Sequence, residues 1–254
     1  MQIKLENASF KNLKKLSFII NDKKITGIVS SDIKDLVNLN YVIYNNIKDS
    51  GNIKYNPRYS KKRIGIISIS NIDEMISGSV KEFIDEDIND SLFDVLDLNK
   101  QILKKDVNIL SNTEKIKILF LKVLNENYET ILINGIFEEL DSNMRKKLIK
   151  IILNLKKFND KTIIVSSTNV DILYEFVDDL VLIINGECLT CDNKFLIYND
   201  KKIIKNPQIQ KPFIKEIEDM IYNKSNINLG NNDTINELIK AIYREIRWFV
   251  WQGI

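Results

Sequence analysis

KKITGIVSSDIKDLVNLNYVIYN, residues 23–45, reads as a buried strand that runs into a helix with almost no turn between them. The run ITGIVS has the near-continuous apolar character of a strand covered on both faces. From about Ile33 to Ile47 the apolar residues Leu36, Val37, Leu39, Tyr41, Val42 and Tyr44 make one broad helical face. In many α/β proteins such a junction carries a glycine-rich loop whose backbone amides hold a phosphate. Here Gly27 lies inside the strand, and the junction itself, Ser30, Ser31, Asp32, Ile33, Lys34 and Asp35, contains no glycine. Ser31 or Asp32 is suited to cap the helix, and Asp35 falls in its first turn. Side chains can therefore supply the negative charge that a bound phosphate would bring.

Composition narrows the reading. The 254 residues are 44% hydrophobic and 28% charged, enough to bury a full core as a soluble globule. With 37 Lys+Arg against 35 Asp+Glu the net charge is +2, which gives no protein-wide basic field for nucleic acid. Usage of about 7% would give roughly 18 glycines; the chain has 8, so loops that demand close backbone approach to a ligand must be few. No apolar run approaches the ~18 residues of a membrane helix, and MQIKLENASF lacks the layout of a signal peptide, which together predict a cytoplasmic location. The two cysteines form CLTC, Cys188 and Cys191. A structural zinc takes about four ligands, and with no histidine in the chain no metal site is expected. In a regular strand positions three apart point to opposite faces, so both cysteines read as small hydrophobes.

Outward from the junction, residues 1–31 alternate in short segments, as an antiparallel strand set does. The turn DSGN leads to IKYN and then to the strand RIGIISIS. Residues 79–106 have helical spacing with acidic faces. From LSNTEKIKILFLKVLNENYE onward, helices alternate with the strands TILING, TIIVSS and DLVLII, which predicts a largely parallel sheet covered on both sides. After Lys205 come Asn- and Lys-rich helices, ending in TINELIKAIYREIRWFVWQGI. The expected organisation is a domain over 1–204, with a helical subdomain at about 79–127, followed by a C-terminal helical extension over 205–254.

This order of elements resembles the ATP-binding subunit of ABC transporters, and most closely the ATPases of energy-coupling factor importers. ENASF, LKKLSFIINDKKITGIV, SGNIKYN, RIGIISIS, ISGSVKEFI, LSNTEKIKILFLKVL and ILINGIFEELDSNMRKKLIKIILNL follow in the family order. KTIIVSSTNVDILYEFVDDLVLIINGE matches without a gap, and the tail is similar to the coupling-factor extension. The resemblance implies a P-loop NTPase-like fold: a mostly parallel sheet with an antiparallel β subdomain and a helical subdomain.

At the chemistry the resemblance fails. The family's phosphate loop, Gly-x-x-x-x-Gly-Lys-Ser/Thr, corresponds to GIVSSDIKDL, in which Lys34 is followed by Asp35 instead of a hydroxyl. Ile69 stands where the family has a Gln. The signature Leu-Ser-Gly-Gly-Gln appears as Leu110, Ser111, Asn112, Thr113 and Glu114. The magnesium-binding Asp corresponds to Asn134, the water-polarising Glu to Gly135, and the switch His to Thr168. The adenine-stacking aromatic falls at Asn12, with Phe10 close by. Asp141, in the Leu-Asp of the interface loop, is kept. Glu138 and Glu139 follow Gly135 and read as solvated loop residues. Ser111 reads as a helix cap.

By this resemblance the chain is a degenerate pseudo-ATPase with no cofactor, a structural or regulatory partner of an intact ABC ATPase and a transmembrane coupling subunit. It would lie peripherally on the membrane within a hetero- or homodimer. Asp141, Trp248 and Trp251 are its expected interface residues. The alternative is an active or weakly active ATP-hydrolysing importer subunit using ATP with Mg.

Overall fold

The computed structural model describes residues 1–60, 63–68, 78–84 and 88–252, with residues 246–252 described by backbone alone. The strands are β1 (Gln2–Phe10), β2 (Leu13–Ile20), β3 (Ile25–Ser30), β4 (Ser50–Asn56), β5 (Ile64–Ser68), β6 (Thr130–Asn134), β7 (Thr162–Ser167), β8 (Asp179–Ile184) and β9 (Glu187–Asn193). The helices are α1 (Ile33–Asn45), α2 (Val80–Phe83), α3 (Ser91–Val95), α4 (Asn112–Asn125), α5 (Ser142–Asn159), α6 (Val170–Tyr174), α7 (Lys194–Asn199), α8 (Lys201–Ile204), α9 (Phe213–Ser225) and α10 (Ile235–Gln252).

Six strands in the order β5-β6-β7-β3-β8-β9 form the central sheet, and β2-β1-β4 form a separate antiparallel one. Pairing among β5, β6, β7, β3 and β8 is parallel throughout, and β9 closes the edge antiparallel. The period of two sorts each central strand between two cores. Ile25, Val29, Ile131, Ile133, Ile163, Val165, Leu180 and Leu182 face the cluster that holds α4, α5 and α6. Ile28, Leu132, Ile164, Val181 and Ile183 face α1 and the antiparallel sheet. Helices α9 and α10 share the first cluster through Ile214, Leu238 and Ala241. Lys194, buried at the start of α7, binds Asp233 at 2.5 Å and the Tyr174 carbonyl at 2.6 Å, which fastens these helices further.

Gly27 serves this packing. A Cβ there would meet Leu180 Cδ2 at 2.8 Å and Val177 Cγ1 at 3.1 Å, so its missing side chain lets β3 lie against β8 and the turn after α6.

Two expectations need correction. The helical spacing of residues 79–106 yields only the short α2 and α3 and the 3₁₀ turn Lys100–Lys104 among the described residues, with a second such turn, Val107–Ile109, just beyond. Asn89, Asn99 and Asp106 accept from the backbone amides of Ser91, Gln101 and Asn108 at 2.8–3.1 Å, and these local bonds compete with a continuous helix. Cys188 and Cys191 do not point to opposite faces. Leu182 pairs with Thr190 but Ile183 pairs with Cys188, so a bulge at Leu189 brings both thiols onto the second cluster. Burial pushes the Cys188 thiol up to about 12 and raises Cys191 as well, as befits small hydrophobes.

Candidate functional site

Open parallel sheets hold ligands outside the carboxyl ends of their strands. The rim of this sheet collects Ser68 from β5, Asn134 and Gly135 from β6, Ser166 to Thr168 from β7, and Ser30 and Ser31 from β3.

At the tip of β3 the side chains bind one another. Asp32 is the N-cap of α1, accepting from the Lys34 amide at 2.8 Å. Asp35 turns inward and is 1% exposed. One of its oxygens accepts from the Ser30 hydroxyl at 2.6 Å, and the other accepts from the Asn12 amide group. Asn38, one turn further along α1, donates to the Asn12 carbonyl oxygen. The Asp32 amide donates to Ser30 Oγ at 3.2 Å, which closes the cluster. The Lys34 side chain is exposed.

A second cluster, made of neutral groups, joins the neighbouring tips. Ser166 Oγ donates to Asn134 Oδ1, and Asn134 Nδ2 donates to Ser68 Oγ at 3.4 Å. Asn40 reaches the same hydroxyl at 3.5 Å from α1. Gly135 follows with φ of 65°, a left-handed conformation that a side chain at this position would strain. Glu138 is exposed, as expected of a solvated loop residue, and it also accepts from Ser167 Oγ and from the Thr168 amide at 3.3 Å.

The signature station lies elsewhere. Ser111 caps α4, with Ser111 and Glu114 in a reciprocal capping box. The Ser111 amide and the Lys105 ammonium hold the Glu114 carboxyl below its ordinary value. Thr113 and Asp141 line one groove of about 360 Å³. The Asp141 carboxylate accepts from the Asn143 and Met144 amides at 2.8 and 2.9 Å as the N-cap of α5. Asn112 opens α4, and Glu139 lies in a 3₁₀ turn with Glu138. Ile69 lies outside the described residues, as do the side chains of Trp248 and Trp251. Among the described residues no group of three or more metal-ligating side chains comes together. No described helix is long and apolar enough to cross a membrane.

The role of Asn38 escaped the sequence reading, although an Asn within the apolar stripe of α1 was a signal that something polar is buried there. Ser68, Ser166 and Ser167 carried no comparable signal, since strands end in serines for many reasons.

No family model matches the chain. The energy-coupling factor transporter ATP-binding protein EcfA1 of Mesomycoplasma hyopneumoniae strain J is 28% identical over 169 residues, 62% of this chain and 62% of that protein. EcfA1 of Mycoplasma mobile is 22% identical over 249 residues, 87% of this chain and 90% of that protein. The chain thus matches less than two thirds of the first relative's length. Among solved structures, cbiO1 from Clostridium perfringens, part of the ABC transporter complex cbiONQ, superposes with a TM-score of 0.63 at 18% identity, covering 85% of this chain and 98% of that one. The ATP-binding cassette MJ0796, a dimer bound to ADP and Pi, gives 0.64 at 15% identity, covering 75% and 98%. The fold is that of an ABC nucleotide-binding domain. In sequence the chain is similar to energy-coupling factor transporter ATP-binding proteins.

Proposed function

We propose that this chain is a non-catalytic nucleotide-binding-domain subunit of an energy-coupling factor type importer, peripheral to the membrane, paired with an intact ATPase subunit and a transmembrane coupling subunit. The observation that carries the proposal is the buried Asp35 carboxyl group, bound to Ser30 and Asn12 at the position of the phosphate loop. A phosphate entering there would have to break both bonds and would meet Asp32 and Asp35 in the first turn of α1, where like charge opposes it. Asn134 and Gly135 supply neither a magnesium ligand nor a base. Partner contact is supported by the outward stripe of Ile235, Ile239 and Tyr243 on α10, which are 43–64% exposed and spaced four residues apart. Trp248 and Trp251 fall further along the same helix in sequence, and Asp141 lines a groove with Thr113 of the signature station.

A thermal shift assay tests the nucleotide claim. Millimolar ATP with magnesium is expected to leave the melting temperature unchanged. Ligand at 100 times its dissociation constant would add about 2.7 kcal/mol, roughly 5–11 °C for a chain of this size. Such a rise would overturn the proposal, as would turnover by the purified chain that is abolished by altering Lys34. One observation favours the alternative of a weakly active ATPase, namely the Glu138 carboxylate at the tip of β7. In that case Glu138→Gln would remove the turnover. Co-purification with a membrane coupling subunit and an intact ATPase tests the partnership.

A further inference from the structure

The tips of β7, β3 and β8 border a cleft of about 40 Å³, lined on the rim side by Ser30, Ser31 and Thr168 and on the far side by Gln208, Ile209 and Gln210. That is room for a few waters. Where an open sheet has its ligand crevice, this chain lays its own segment 206–210. The segment is folded tightly: the Gln208 amide donates to Asn206 Oδ1 at 3.0 Å and the Ile209 amide to the Asn206 carbonyl at 3.1 Å. The buried Tyr198 hydroxyl donates to the Gln210 carbonyl at 3.1 Å. Of the chain's three prolines, Pro207 lies within the segment and Pro212 follows it two residues on, and both stiffen the chain there.

Two bonds reach the start of α6, just after Thr168, one from this segment and one from the first residue of α9. The Val170 amide donates to Gln210 Oε1 at 3.3 Å, and the Phe213 amide donates to Asp171 Oδ1 at 2.7 Å. Helix α6 has five residues, too few to hold itself by propagation, so outside contacts set its position. Phe213 is also the first residue of α9.

We propose that residues 206–210 are a strap that holds the loop at Thr168 and the start of α6, so that a displacement of α9 is passed to the rim of the sheet. The proposal is independent of whether the chain binds nucleotide, and its test contains none.

Hydrogen exchange on the full chain, read by mass spectrometry, decides it. Gln210→Leu keeps the bulk and removes the acceptor, whereas Gln210→Glu keeps an acceptor. In Gln210→Leu the amides of residues 168–174 should exchange about three- to tenfold faster, the effect of one lost hydrogen bond, while the β1–β2–β4 sheet is unchanged. Gln210→Glu should stay near wild type. Unchanged exchange in Gln210→Leu, equal behaviour of the two variants, or acceleration spread evenly over the chain would each overturn the strap.

Discussion

Halfway along its strands the central sheet is a dry apolar layer: Ile28, Leu132, Ile164, Ile163 and Val165 are at most 1% exposed and touch carbon on every side. At the carboxyl tips of the same strands Ser30, Ser68, Asn134, Ser166 and Ser167 are just as buried, at most 2% exposed, yet each carries a polar group that loses water. Burial without a partner would cost these groups heavily, and every one of them has a partner within the chain. The strand middles specify the fold by volume and period. The tips carry the polar groups, and here those groups bind one another. The following experiments set the two zones against each other.

The largest effect is expected from Asp35→Ala. It leaves the Ser30 hydroxyl and the Asn12 amide group buried without their acceptor, and should cost about 2–4 kcal/mol, as much as emptying a core position such as Ile28. In a urea melt the midpoint falls and the slope stays constant. Magnesium ATP should not restore it. A loss below about 0.5 kcal/mol, the range of an ordinary surface substitution, would mean that the rim does not hold itself together.

Asn134→Asp comes next, because it puts a carboxyl group into the neutral cluster, at a site 2% exposed. Burial raises the pKa of such a group in the folded state above its unfolded value of about 3.9. Below that value both states are protonated and the variant is nearly neutral. The loss then grows as pH rises, and levels off above the folded pKa at about 2–3 kcal/mol. Urea midpoints from pH 4 to 8 trace the curve. Recovery with magnesium would show that the tip of β6 still takes a metal once given its carboxylate.

The junction of residues 23–45 is legible from sequence because all its determinants are local: an apolar strand, an Asx cap and a helical stripe. Asp32 as cap follows from the side chain and its spacing alone. The partner of Asp35 does not, since Asn12 comes from the turn between β1 and β2, 23 residues away, and only the fold brings it near. The bulge at Leu189 is equally silent, because nothing in GECLTCD distinguishes a regular strand from one with an extra residue. Residues 79–106 misled the periodicity because their apolar spacing fits a helix while their Asn and Asp side chains cap successive short turns. Glu138 is exposed, as its charge suggests, but its contact with Ser167 depends on two strand tips meeting and is not legible in the sequence.

A smaller effect separates capping from network. Asp32→Ala removes one acceptor from the exposed N-terminus of α1 and should cost about 1 kcal/mol, roughly 2–4 °C. Asp32→Asn keeps a cap and should stay near wild type. Were Asp32→Ala as damaging as Asp35→Ala, the two aspartates would form one unit, and the contrast between an exposed cap and a buried network would fail.

The smallest effect belongs to Glu114, whose carboxylate serves the start of α4 as Asp32 serves α1. The Ser111 amide at 3.0 Å, the Ser111 hydroxyl at 3.1 Å and Lys105 at 3.1 Å all donate to it and lower its pKa below 4.5. A lowered carboxyl pKa stabilises the fold above the unfolded value and loses that contribution as pH falls through the folded one. The group is 33% exposed, so solvent screens much of the effect, and a few tenths of a kcal/mol are expected. Glu114→Gln keeps the acceptor of the capping box and removes the charge. Between pH 5 and 3 the wild type should therefore lose slightly more stability than the variant, while at pH 7 the variant should be slightly the weaker of the two. Identical slopes would mean that the charge does nothing for α4. The capping box would then rest on the geometry of the acceptor alone, which Glu114→Gln keeps.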